Sequence, residues 1–139
     1  MRKFLIASHG QLAGGMKSAL ELITGATAEV AVLQGYLDDQ YVSMADEIAN
    51  ILETAGTGEE WVVFTDLMGG SITNMVLRVA AELGKADSVH IVAGMNLPLV
   101  IEVILADPEV PVKELLAEKI GMAREQLVYI NEIIRNIND

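Results

Sequence analysis

The chain has 139 residues, no cysteine and a formal net charge of −11, nine Lys plus Arg standing against twenty Asp plus Glu. That balance argues against nucleic acid or an anionic membrane as a partner, since both need a positive surface, and the lack of thiols excludes disulfides, thiolate metal sites and a Cys nucleophile. With 52% apolar residues but only 4% aromatic ones, the core must be built from Val, Ile, Leu, Ala and Met, and the length suits one domain over 1–139.

In chain order, apolar strands alternate with amphipathic helices. Residues 3–7 read as a strand, and 11–24 as a helix with Leu12, Met16, Ala19, Leu20 and Ile23 on one face and Gly25 as its stop. A second strand covers 29–33, and 34–40 is turn-like. A helix follows over 41–55, with Met44, Ile48, Ile51 and Leu52 inward, ended by Gly56 and Gly58. Residues 61–65 form a continuous apolar strand, 71–83 a helix stopped at Gly84, and 88–93 a fourth strand. Helices are expected over 98–105 and 112–126. The stretch 127–137 is ambiguous: Leu127, Ile130, Ile134 and Ile137 suit a helix, whereas 127–130 has strand composition. So apolar a tail needs a surface to bury against, in this domain or a second subunit. No segment reaches the roughly 20 uninterrupted apolar residues of a membrane span. Met1-Arg2-Lys3 is basic, but the apolar run behind it breaks at His9, unlike a signal peptide. The chain is therefore read as cytoplasmic.

Continuous apolar strands joined by helices imply an open, doubly wound α/β fold, its mainly parallel sheet covered on both faces. In such sheets ligands sit beyond the carboxyl ends of the strands, where the strand order reverses. Ser8-His9-Gly10 follows the first strand, Gly35 and then Asp38-Asp39 the second, Asp66-Leu67-Met68-Gly69-Gly70-Ser71 the third, and Gly94-Met95-Asn96 the fourth. A strand order of 2-1-3-4 sets His9 beside Asp66. The carboxylate would then fix the imidazole tautomer, leaving the other ring nitrogen as a nucleophile. Gly69-Gly70-Ser71 opens a helix whose amides and dipole favour an anion, and the Ser71 hydroxyl adds a donor. Gly10 leaves room beside the ring. Together these groups describe a phosphoryl-accepting site.

Taken singly, each part has a plainer explanation. A histidine after a strand finds a hydrogen bond, an aspartate caps a helix, and paired glycines make a turn. His90 lies within the fourth strand and is read as structural. Asp38-Asp39 is read as an exposed acidic loop rather than a Mg²⁺ site, and Met16, Met44 and Met75 as core. Gly10, Gly14 and Gly15 match neither dinucleotide nor P-loop spacing, so no nucleotide cofactor is expected.

FLIASHGQLAGGMKSALELITG, VLQGYLDD, VVFTDLMGGSITN and VAGMNLPLVIE, in that order, resemble the IIA component of mannose-family sugar phosphotransferase systems. The resemblance implies that His9 takes a phosphoryl group on Nε2 from the phosphocarrier protein HPr and passes it to a IIB component. Asp66 would bond Nδ1, and Gly70 and Ser71 would lie against the phosphoryl group. No metal or other cofactor is implied. A homodimer exchanging a C-terminal strand is implied, which offers a home for the apolar tail. No IIB domain follows, so IIB is expected as a separate chain, with membrane contact only indirect, through the transporter. Met68 departs from the aromatic usual at that place in the motif. The phosphotransfer subunit of dihydroxyacetone kinase has a similar histidine but a serine-poorer second motif. A chelatase-like domain would need metal ligands beside His9, and a receiver-like module an acid where His9 stands.

Overall fold

The computed structural model describes residues 2–25, 29–37 and 43–138. Strands β1 (Arg2–His9), β2 (Val30–Gly35), β3 (Glu60–Thr65) and β4 (Val89–Val92) form one parallel sheet in the order β2-β1-β3-β4. Around it lie α1 (Leu12–Thr24), α2 (Met44–Leu52), α3 (Ser71–Glu82), α4 (Leu97–Ile104) and α5 (Val112–Arg124), and α6 (Ile130–Asn138) ends the chain. Both the strand order and the doubly wound class agree with expectation.

The pleat explains why the strands are apolar throughout. Successive side chains point to opposite faces, and both faces are covered. On one side Phe4, Ile6, Val62 and Phe64 pack with residues of α1, α4 and α5. On the other, Leu5, Ala7, Trp61 and Val63 pack with α2 and α3. Leu5, Ile6 and Phe64 are fully buried, and each contributes roughly 1.5–3 kcal/mol by leaving water. Met16, Met44 and Met75 pack against these clusters as expected.

Local chemistry sets the helix ends. Gly25 takes a left-handed φ of 62° and returns its N–H to Glu21, stopping α1. Ser43 Oγ accepts the Asp46 N–H and opens α2, while Asn96 opens α4 by accepting from Leu99.

Besides β2 running on through Gln34 to Gly35, where a turn was expected, and α2 ending at Leu52 rather than 55, the structure differs from the sequence reading in four further places. First, β1 does not stop at Ala7 but runs through Ser8 to His9, pairing His9 with Gly35 of β2. Second, the buried stripe of α1 is Ala13 and Leu20, with Met16 packed beside them. Leu12 and Ile23 are 51% and 60% exposed, because the helix lies on the sheet through its 13-16-20 edge. Third, α2 begins at Met44, and the expected start at Tyr41 falls outside the described residues, as does the Asp38-Asp39 loop. Fourth, residues 127–129 form no strand and α6 begins at Ile130. Leu127 is 90% exposed and Ile137 78% exposed, so the tail buries little against its own domain.

Candidate functional site

The β1–β3 register aligns Ala7 with Thr65, so His9, two residues further along β1, stands beside Asp66, the first residue past β3. One carboxylate oxygen, Asp66 Oδ2, accepts the backbone N–H of His9 at 2.7 Å and meets Nδ1 of its ring at 2.8 Å. In a neutral imidazole, a carboxylate at that distance places the hydrogen on Nδ1 and leaves the lone pair on Nε2. The Asp66 side chain is 8% exposed and that of His9 41%. The acid is thus held within the protein while the ring faces out. Burial pushes the Asp66 carboxyl up, but the two hydrogen bonds and the charge of His9 outweigh it, holding the group below its ordinary value. Its second oxygen, Oδ1, is buried and takes no hydrogen bond from the described residues.

Two helices begin beside the ring, and their first turns differ. In α1, the Ala13 N–H donates to the buried Ser8 Oγ at 2.7 Å and the Gly14 N–H to Gln34 Oε1 at 3.3 Å. Those donors are taken. Among the described residues no side chain caps α3, whose N-cap is Gly70 in an extended conformation. The amides of its first turn, from Ser71 to Thr73, have no carbonyl a turn earlier to bond, and the helix dipole adds positive potential there. Ser71 Oγ lies 3.5 Å from His9 Nε2. The anion-favouring helix start is therefore the one that faces His9 Nε2.

The glycines divide the remaining work. Gly10, at φ 57°, turns the chain sharply out of β1 and donates its N–H to Gly35 O at 2.9 Å. The Gly70 N–H closes a turn onto Leu67 O, so this residue contributes closeness rather than a free donor. A Cβ there would lie 3.1 Å from Leu67 Cβ and 3.7 Å from His9 Cε1. Gly69, at φ 74°, makes the turn itself. The turn is braced by Thr73, whose hydroxyl lies 2.6 Å from Leu67 O and 2.7 Å from Thr65 Oγ1.

Two site residues escape the sequence argument. Ser8 is fully buried and caps α1; a polar residue within a strand that runs into a helix start is the signal for it. Tyr36 follows β2 at a φ of 64°, a conformation costing an L-residue roughly 1–2 kcal/mol. Its ring stacks on that of His9, with centroids 5.3 Å apart and planes 22° apart, and its hydroxyl lies 2.6 Å from Ser71 Oγ. The signal was an aromatic residue at a strand end in a chain with few aromatics. His90 lies elsewhere, paired in register with Val62 and 3.4 Å from Glu60 Oε1. Among the described residues no cluster of three His, Cys, Asp or Glu side chains is arranged to hold a metal.

Fold and site together define a doubly wound α/β domain with an acid-oriented histidine at its switch point. Residues 3–120 match the family model described as the PTS system fructose IIA component, and the chain belongs to that family, whose members are components of sugar phosphotransferase systems. It is 31% identical over 104 residues to the sorbose-specific EIIA component of Klebsiella pneumoniae, which covers 72% of this chain and 70% of that one. Among solved structures, the PTS IIA protein associated with the fucose utilization operon of Streptococcus pneumoniae superposes with a TM-score of 0.78 at 30% identity, covering 96% of each chain. The mannose/sorbose-specific IIA subunit of Enterococcus faecalis gives 0.79 at 26% identity, covering 92% of this chain and 93% of that one.

Proposed function

We propose that this protein is the IIA phosphocarrier of a phosphoenolpyruvate-dependent sugar phosphotransferase system. In this reading His9 Nε2 accepts a phosphoryl group from phospho-HPr and hands it to a separate IIB protein, in the cytoplasm. The observation that carries the proposal is the orientation of one ring: Nδ1 bonded to the buried Asp66 carboxylate, Nε2 turned toward Ser71 and the uncapped start of α3. The alternatives weigh less. The 31% identity to a sorbose-specific EIIA component favours the sugar systems over a dihydroxyacetone kinase subunit, and His90, the nearest candidate for a second metal-binding histidine, is engaged with Glu60 within the sheet.

The chemistry follows from the site. HPr docks over the strand ends and presents a phosphoramidate. The Nε2 lone pair of neutral His9 forms the new N–P bond as the donor's P–N bond breaks, and that electron pair returns to the donor ring. The positive charge of a phosphorylated ring passes from donor to His9, so no proton has to move. Asp66 stabilises that charge through Nδ1, as phosphoryl transfer demands positioning and electrostatic support rather than covalent chemistry from the protein. Ser71 Oγ and the first amides of α3 face the phosphoryl oxygens. Transfer onward to IIB runs the same steps in reverse. The exposed tail from Leu127 to Ile137 serves a homodimer in this reading, crossing to the partner subunit.

The test is the intact mass of the protein after incubation with phosphoenolpyruvate, enzyme I and HPr. One acid-labile phosphate on the wild type and none on His9→Ala is expected. An uncharged wild type beside charged HPr would overturn the proposal.

A further inference from the structure

We propose that Tyr36 is a positioning residue for His9 and Ser71, acting as a clamp that holds the face of the imidazole and aims the serine hydroxyl at Nε2. The inference rests on the phosphoryl-acceptor reading and adds a residue to it. The fold leaves little choice about where Tyr36 stands. His9 and Gly35 are register partners at the ends of β1 and β2, and Gly10 ties back to Gly35 O. A Cβ at position 35 would come within 2.6 Å of Ile72 Cδ1 and 2.9 Å of Met44 Sδ, so both side-chain ends would have to shift, and 3.3 Å from Ser8 O. The chain turns at position 36, where φ is 64°. Gly or Asn adopts that conformation far more cheaply than an aromatic residue. It is the positive-φ residue other than glycine in the described structure.

Strain of this kind is kept where the surrounding structure uses the side chain. Asp66 holds the imidazole by its edge, at Nδ1. Against rotation about the Nδ1 contact an edge-on bond offers little, and the Tyr36 ring supplies what is missing by stacking on the face. Its hydroxyl then spans to Ser71 Oγ at 2.6 Å, and Ser71 Oγ lies 3.5 Å from Nε2. If Tyr36 donates, the serine accepts with a lone pair and its own hydrogen points to Nε2 or to a phosphoryl oxygen bound there. Tyr36 thus acts on both the nucleophile and the donor beside it without touching the group transferred.

The experiment is a double-mutant cycle on Tyr36→Phe and Ser71→Ala, read as the single-turnover rate of phosphoryl uptake from phospho-HPr, with ¹⁵N spectra of the His9 ring recorded on the unphosphorylated proteins. Tyr36→Phe keeps the stack and loses the hydroxyl; it should leave the Nδ1–H tautomer intact and slow uptake about threefold to tenfold. In the Ser71→Ala background the same change should cost less than twofold, because its route to Nε2 is gone. Tyr36→Gly relieves the backbone, so the variant folds, yet its His9 ring should show mixed tautomers or exchange broadening. Additive effects in the cycle would overturn the clamp, and so would a Tyr36→Gly variant with wild-type ring signals. The two readings fail separately: a wild type that accepts no phosphate defeats the phosphocarrier assignment, and the ring spectra of Tyr36→Gly still decide whether Tyr36 holds His9.

Discussion

Strand β3 has an acid at each end, and each acid meets a histidine. At the amino end Glu60 faces His90 of β4; just past the carboxyl end Asp66 faces His9 of β1. The residue types match and the environments do not. Asp66 is 8% exposed and bonds Nδ1 at 2.8 Å, whereas Glu60 is 43% exposed and lies 3.4 Å from Nε2 of His90. His9 presents its remaining nitrogen to Ser71 and an uncapped helix start. His90 sits within a strand between neighbours that pair with β3. A histidine–carboxylate pair is therefore not a site by itself. What makes one is a buried acid on one nitrogen and an anion-favouring surface at the other, and a parallel sheet provides that surface only where its strands end and its helices begin.

The sharpest way to break this comparison is to remove each histidine in turn. His9→Ala should abolish covalent phosphate altogether, measured by intact mass, while the far-ultraviolet circular dichroism stays that of the wild type, since the ring is partly exposed and belongs to neither core cluster. The next largest effect belongs to the acid. Asp66→Asn keeps the size of the side chain but loses the charge that supports a phosphorylated ring, and its amide can favour the wrong tautomer. Uptake should slow on the order of 100-fold or more, read in single-turnover quench. A rate within threefold of wild type would reduce Asp66 to the status of Glu60.

How much of this was legible beforehand follows from where each interaction is made. Strand order and the His9–Asp66 pairing could be read because apolar runs, helix periodicity and glycine stops are local signals, and the parallel-sheet rules then bring two strand ends together. Ser8 and Tyr36 could not be read so easily. Ser8 depends on β1 running two residues further than its apolar stretch, and Tyr36 depends on a turn conformation that composition disfavours. Leu12 and Ile23 satisfy the helical period as well as the true stripe does, and only docking on the sheet decides between them. The tail shows the opposite limit. Leu127, Ile130, Ile134 and Ile137 suit a helix but left a strand open as well; all four are exposed, and a surface that the described residues of its own domain leave open carries no trace in the sequence of what covers it.

Two smaller effects sharpen the contrast between the ends of β3. The first is in acid. Because the folded protein holds Asp66 below its ordinary value of 3.8, the unfolded chain binds the proton more readily. The ionised carboxylate thus contributes stability that is fully present above that value and is lost as pH falls through the folded one. Asparagine has no such proton to bind. In urea denaturation the stability difference between wild type and Asp66→Asn should therefore shift against the wild type on going from pH 7 to pH 3; a difference that stays constant would mean that the carboxylate gains nothing from His9.

The smallest effect should come from His90→Gln. Glu60 is well exposed, and ion pairs so placed contribute about 0–1 kcal/mol. Glutamine retains a polar end that reaches toward Glu60 from the same strand position, so denaturation midpoints should move little. Phosphoryl uptake should stay within twofold of wild type, because nothing at the amino end of β3 touches the ring of His9 or the start of α3. This near-silence is the informative part. If His90→Gln slowed uptake as Asp66→Asn does, the two histidine–acid pairs would be coupled through β3, and the distinction between a strand end and a strand interior would not be what separates a reactive histidine from a structural one.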